Sequence, residues 1–561
     1  MSSIVRLGVG VCCVALWACS PSTVPAHATS PVAQVSPAKP SGPPRPSSWG
    51  SPEVLVAPSY FHGIHGVAVD KKGRLLAGTV VGNDMWEVDR STGTARVFIP
   101  APQGESDDIA IGPKGELAWT SYTQGIVRYR TDDDAPIQEL AKGLIGINSL
   151  AFDQKSGKLY ASQVFLGDAL WEIDVAGKAA PRQIAKDLGG FNGFEVGPDG
   201  QLYGPLWFKG QVVKIHPTTA KVTVINSELQ TPAAANLDGK GNLWVVDTKA
   251  GTLNKVVLAS GKKTEVAKLA TALDNLALAP DGTVYVSNMA DNSIHAVNPE
   301  TGDTRLLTSG KLSSPSGLKL DGDSVLVADV FAFRSVDAKS GEVKDIFRVQ
   351  DSKLEYPASI GLGAKLIALT SWFSNSVQLI DRQTKQDVEM VHGFKVPMDS
   401  VPADDGTLYV LELGTGSIIR ATGPQHAERT TVAAEFVDPA QMILGSDGAL
   451  YVTETRGRLI KVDIATGAKT VITQDLAQPE GLAQTAWGTF IVAEAGSRRV
   501  VEVDASGGKR VVAEDLPIGL DPKRVGMPKA FMPTGVAVSA DGTVFVSGDL
   551  EQSLLRIRPQ G

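Results

Sequence analysis

Cysteine is nearly absent: three Cys occur in 561 residues, at positions 12, 13 and 19. Beyond residue 19 the chain therefore offers no disulfide and no thiol nucleophile. Histidine is also sparse, at seven residues. His62 and His65 stand three apart in an extended stretch, a spacing that does not by itself make a zinc pair. No nucleophile elbow, P-loop, GxGxxG or HExxH occurs, so those chemistries have no support. No basic stripe interrupts a net charge of −8, which argues against nucleic acid as a partner. No apolar run reaches 18 residues, so no segment reads as a spanning helix. What the chain does hold is 43% hydrophobic and 20% charged residues, with 58 Gly and 33 Pro. That composition suits a globular body with many short turns.

The N-terminus reads as an address. Arg6 precedes a 12-residue apolar run, Leu7 to Ala18, too short to span a bilayer and right for a signal-peptide core. The run ends Leu16-Trp17-Ala18-Cys19, which resembles a bacterial lipobox with Cys19 as the lipidated residue. A plain secretory signal cut nearby is the alternative. Ser20 rather than Asp after Cys19 favours the outer membrane. Residues 20–50 hold eight Pro among Ser, Ala and Thr, an extended tether rather than a core. The expectation is an exported protein, lipid-anchored to an envelope membrane: a signal at 1–18, a lipidated tether at 19–50, and membrane contact through the anchor alone.

The rest is one motif repeated twelve times. A Gly-x-apolar signature recurs as Gly115-Glu-Leu, Gly200-Gln-Leu-Tyr, Gly282-Thr-Val-Tyr and Gly448-Ala-Leu-Tyr. The apolar anchors stand 40–43 residues apart, from Leu75 to Val544, with one gap of 54. Each unit reads as four short alternating strands, the arithmetic of a β-propeller blade. One ring holds about 4–8 blades, so twelve units predict an all-β chain of two tandem six-bladed propellers. The last unit has three strands, and Val54–Ala57 has one. Closure that removes open edges predicts rings at 51–300 and 301–561, with Val54–Ala57 beside 274–298 and Thr304–Thr308 beside 534–558. The rival arrangement breaks near 315, with the N-terminal strand crossing to the last blade. The long gap holds an insertion, Leu516 to Met532, expected as a surface loop or a lid.

The residue just before each inner strand enters the channel. In the first ring these are His65, Asp107, Asn148, Asn192, Ala233 and Asp274; in the second, Ser316, Ala358, Met398, Ala440, Glu480 and Thr534. Five of the first six are polar. Two carboxylates and two amide oxygens on one axis make a hard oxygen site, suited to Ca²⁺. The plainer reading has Asn192 bonding loop backbone and Asp274 capping a strand. Asp108 reads as a supporting group or a structural-ion ligand. His65 is either a general base or a structural donor.

The segments Glu105-Ser-Asp107-Asp108, Phe191-Asn192-Gly193 and Leu273-Asp274-Asn275 resemble the calcium-ligand segments of six-bladed lactonases and esterases, the paraoxonase and gluconolactonase/senescence-marker group. The resemblance implies a Ca²⁺ held by Asp107, Asn148, Asn192 and Asp274, with Asp274 or His65 activating water on an ester or lactone. Asp107 stands where the family has Glu, Asn148 where paraoxonases place His, and Ala233 where they offer Asn. The second ring matches only generically, Pro479-Glu480-Gly481 being its one suggestive spot. Tyr122, Phe165, Trp207 and Phe208 are expected to rim the site, or else to pack between blades. Two functions stand: a calcium-dependent hydrolase of lactones or related esters, and a non-catalytic scaffold displaying a face to a protein or glycan. A lyase like strictosidine synthase is a third, without an identifiable acid.

Overall fold

The computed structural model describes residues 45–522 and 527–560. The signal sequence, Cys19 and the tether up to residue 44 lie outside the described residues.

Alternating apolar positions and short turns rich in Gly, Asn and Asp build twelve four-stranded antiparallel sheets. Blade 6 shows the pattern: Leu273–Leu278, Val284–Asn288, Ser293–Val297 and Thr304–Thr308 pair in order. Its second strand, Val-Tyr-Val-Ser-Asn, is buried throughout, as a strand packed on both faces by neighbouring blades must be. Each blade faces the next through such apolar side chains, and the core is a series of inter-blade clusters. Leu75, Ala77 and Val88 of blade 1 meet Ala277, Tyr285 and Ile294 of blade 6, which closes the first ring.

The expected ring closure is corrected by the strand pairing. Thr304–Thr308 is the outer strand of blade 6 itself. The N-terminal strand Glu53–Val56 pairs instead with Ser553–Ile557 of blade 12 (Glu53 with Arg556, Val54 with Leu555). The reason is edge availability: blade 6 already fills its outer position with Thr304–Thr308, while the last unit has three strands and an open outer edge. The first ring thus occupies 64–308, and the second 315–557 together with 53–56. From Glu53–Val56 in the second ring the chain crosses, builds the first ring whole, and returns. The tether also ends earlier than expected. Ser48–Trp49 pairs with Pro559–Gln560, and Arg45 forms an ion pair with Glu502 at 2.6 Å.

The two rings meet face to face at the ends where inner strands begin. Ala272, Met289 and Ala290 of the first ring share one core with Phe331, Phe333 and Leu354 of the second. Around this core Arg348 bonds Asp291 at 2.7 Å and Thr271 O at 2.8 Å. His62 Nε2 donates to Asp549 O at 3.0 Å. Buried Arg334 pairs with Asp329 at 2.6 Å and also reaches Ala290 O. Such a buried, paired contact fixes the rings rather than leaving a hinge.

The insertion is not a simple surface loop. Leu516 and Ile518 pack into the blade 11–12 core. Ala530 sits on Met398 and Ala440, and Phe531 and Met532 enter the inter-ring core.

Candidate functional site

Hydroxyls on second strands set the positions of the channel residues. Ser287 Oγ donates to His65 O at 2.6 Å, and Thr120 Oγ1 donates to Asn148 O at 2.5 Å. Each inner strand is thereby pinned by the neighbouring blade where its first side chain enters the channel. This brings His65, Asp107, Asn148, Asn192 and Asp274 to the floor of one cavity of about 190 Å³.

His65 organises that floor. Its Nδ1 lies 3.2 Å from Asp107 Oδ1 and 3.3 Å from Asp274 Oδ2. Burial works against the imidazolium, but the carboxylates of Asp274 and Asp107 outweigh it and push His65 up to about 10. At neutral pH the ring is a cation held between the Asp107 and Asp274 carboxyl groups. Burial pushes Asp107 up to about 6, with the imidazolium pulling the other way. His65 Nε2 is buried with no hydrogen-bond partner among the described residues.

The two amides are also engaged. Asn192 Oδ1 accepts from Gly193 N at 2.9 Å and from Ser149 Oγ at 2.8 Å. Ser149 Oγ also lies 2.9 Å from Asn148 Oδ1. By residue type the floor suits a hard cation. By arrangement it does not: the imidazole bridges the carboxylates, and the Asn192 oxygen is already occupied. Among the described residues no three His, Cys, Asp or Glu side chains are grouped as a metal site.

The roof comes from the second ring and was missed by sequence reasoning. Phe331 stacks edge-on against His65 at 5.5 Å, followed by Tyr356 at 6.0 Å and Phe373 at 5.6 Å. Trp372 adjoins Phe373 and donates to Phe531 O of the insertion at 2.6 Å. Gly63, with φ +64°, makes room for Phe331: a Cβ there would overlap the aromatic ring. Four lining residues, Phe165, Val330, Gln350 and Tyr356, have positive φ. Such backbone is costly for bulky side chains and persists where the surroundings over-determine it. No signal in the sequence announces these residues, because nothing local says that the two rings meet.

Of the expected rim, Tyr122, Phe165 and Trp207 line the cavity. Phe208 does not; it is exposed and stacks on Phe165 at 5.7 Å. Phe165 and Phe373, one from each ring, are the exposed lining aromatics and mark the opening.

Asp108 turns away. With Asn275 it lines a second cavity of about 400 Å³, further along the same channel. It accepts from Asn275 Nδ2 at 3.0 Å and Ile109 N at 2.9 Å, and burial pushes it up to about 7. The Asp274-Asn275 pair is thus split between two cavities. Glu480 lines neither cavity. It accepts from Thr534 N at 2.8 Å and Gln478 Nε2 at 3.0 Å.

The fold defines a tandem six-bladed β-propeller. No protein-family model matches the sequence, and no curated protein matches it. Among solved structures, a streptogramin B lyase structure is similar at 15% identity, over 59% of this chain and 93% of that one, with a TM-score of 0.24. That likeness bears on neither the site nor an activity.

Proposed function

We propose that the inter-ring cavity binds small, largely apolar esters or lactones and hydrolyses them. One observation carries this reading: His65 has Nδ1 clamped by two carboxylates and Nε2 buried without a partner, on the wall of an aromatic cavity. A clamped Nδ1 fixes ring orientation and leaves Nε2 as the working nitrogen. A buried unpaired donor is costly; a substrate carbonyl oxygen supplies its acceptor. The aromatic roof takes the apolar remainder and excludes water. As a water oxygen attacks the carbonyl carbon, Asp274 takes the water's proton. The Nε2–H bond strengthens on the developing oxyanion, and the proton then passes to the leaving alkoxide.

Calcium belongs to this proposal under one condition. Asp107, Asn148, Asn192 and Asp274 would hold the ion in place of the imidazole, where it would polarise a carbonyl as a Lewis acid. Ion and imidazole compete for the same carboxylates. Added Ca²⁺ is therefore expected to raise the melting temperature more in His65→Ala than in the wild type, and EDTA to reverse the rise.

A panel of aryl esters and γ- and δ-lactones tests hydrolysis. Turnover lost in His65→Gln and Asp274→Ala, with melting retained, supports it. No turnover of any of these compounds, with saturable binding of a protein or glycan instead, replaces it with the scaffold reading. Export and lipidation at Cys19 are proposed alongside; fatty-acid labelling that survives Cys19→Ala would remove the anchor.

A further inference from the structure

The second ring's channel is a blind pocket. Its six entrance residues, from Ser316 round to Thr534, are all buried, and Ala530 of the insertion seals Met398 and Ala440. Beyond that seal a cavity of about 820 Å³ extends toward the opposite end of the ring. Its wall is largely apolar, with Leu320, Val401, Met442, Leu482 and Val536 among its members.

Two cations line it, Lys319 and Arg382. Arg382 is committed: it donates to Asp321 at 2.8 Å and to Gly363 O at 2.9 Å. Lys319 has no hydrogen bond or ion pair among the described residues. The carboxylate that acts on its charge is Asp399, which is buried and already engaged. It accepts from Ser359 Oγ at 2.8 Å, Ser400 N at 2.9 Å and Met442 N at 2.9 Å, so it does not close on the amine. Burial holds the Lys319 ammonium below the ordinary lysine value, Asp399 opposing it. Lys319 is half-buried and lines the cavity.

A lone amine in a mostly apolar blind channel has two chemistries, anion binding and attack on a carbonyl. The rim decides between them. Asp404 and Asp405 line the cavity and disfavour an anion. A desolvated lysine is a nucleophile near neutral pH. We propose that Lys319 is the imine-forming residue of a second site, taking a small neutral aldehyde or ketone into the second ring.

The step balances without a further reagent. The neutral Nζ lone pair attacks the carbonyl carbon, and the carbonyl oxygen takes up a proton to give a carbinolamine. Loss of that hydroxyl with one proton, as water, forms the C=N bond. Amine and carbonyl give imine and water, and the reaction runs back on release.

Reductive trapping tests it on the whole protein. Butanal and cyanoborohydride at pH 7, with peptide mass spectrometry, compare Lys319 with exposed Lys339. Lys319 is expected to gain the butyl group several-fold faster, since burial lowers the cost of its neutral, nucleophilic form. Lys319→Met should lose that peptide's label with melting unchanged. Labelling of Lys319 no faster than of Lys339 overturns the proposal. So does protection of Lys319 by phosphate or acetate but not by butanone, which would make it an anion site.

Discussion

Two rings built from one repeat end in different chemistry. Their blades share one four-stranded antiparallel order. They differ in the six residues at the channel entrance. The first ring presents His65, Asp107, Asn148, Asn192 and Asp274 to a cavity; the second buries Met398 and Ala440 under its own insertion. The blade repeat specifies the scaffold, and the entrance positions, which contribute little to inter-blade packing, are free to specify a site. The second ring then acts on the first as a roof, through Phe331, Tyr356 and Trp372.

The contrast is broken most severely at His65. His65→Gln is expected to lower ester or lactone turnover about a hundred- to ten-thousand-fold, as removal of a general acid–base does. The matching change in the second ring, Ser316→Ala, is expected to leave turnover within a factor of two or so, since Ser316 only bonds backbone carbonyls. Comparable losses in both variants would mean that the rings do not divide the labour.

Val56→Asp separates the rings by stability. Val56 is buried in the blade 12–blade 7 core, so the charge should cost about 3–5 kcal/mol, confined to the second ring. Urea unfolding followed by hydrogen exchange would show blade 12 amides opening first. Early opening of blade 6 instead would restore the expected closure at 274–298.

Phe331→Ala tests the roof. Losing a buried aromatic costs about 3–5 kcal/mol at most, and less here because one side of Phe331 faces the cavity. The informative outcome is that KM for apolar substrates rises while kcat changes less. A fall in kcat alone would place Phe331 in the chemistry.

The pH dependence of stability tests the clamp itself. His65 sits at about 10 when folded against 6.5 unfolded. A raised value gives stability that is complete below about 6.5 and lost as pH rises through about 10. The wild type's advantage over His65→Gln in chemical denaturation should decline across that window. A flat difference would mean that the imidazole is not clamped by Asp107 and Asp274.

Much of this was legible beforehand. Blade number, strand content and the channel residues follow from a 40–43-residue period, because alternation and turn residues are local properties. Asp107, Asn148, Asn192, Asp274 and His65 were found together for the same reason: one position per blade faces the axis. Asp108, read as a supporting group or a structural-ion ligand, lines a second cavity with Asn275, since adjacent residues on an extended chain turn to opposite sides. Phe208 was misplaced because the loop after blade 4's second strand is a short 3-10 turn, which buries Trp207 and exposes its neighbour.

The sequence by itself determined a twelve-bladed body, cysteine-free beyond residue 19, with one mostly polar channel entrance and one half apolar. Tertiary structure alone decided which edge received Glu53–Val56, that the two rings face each other, and that His65 bridges two carboxylates beneath Phe331. Strand edges and ring faces are satisfied by whichever partner folding leaves free, and that partner is about 500 residues away for Glu53 and Arg556. No local pattern encodes such a choice; it is settled by the burial and pairing of the whole chain.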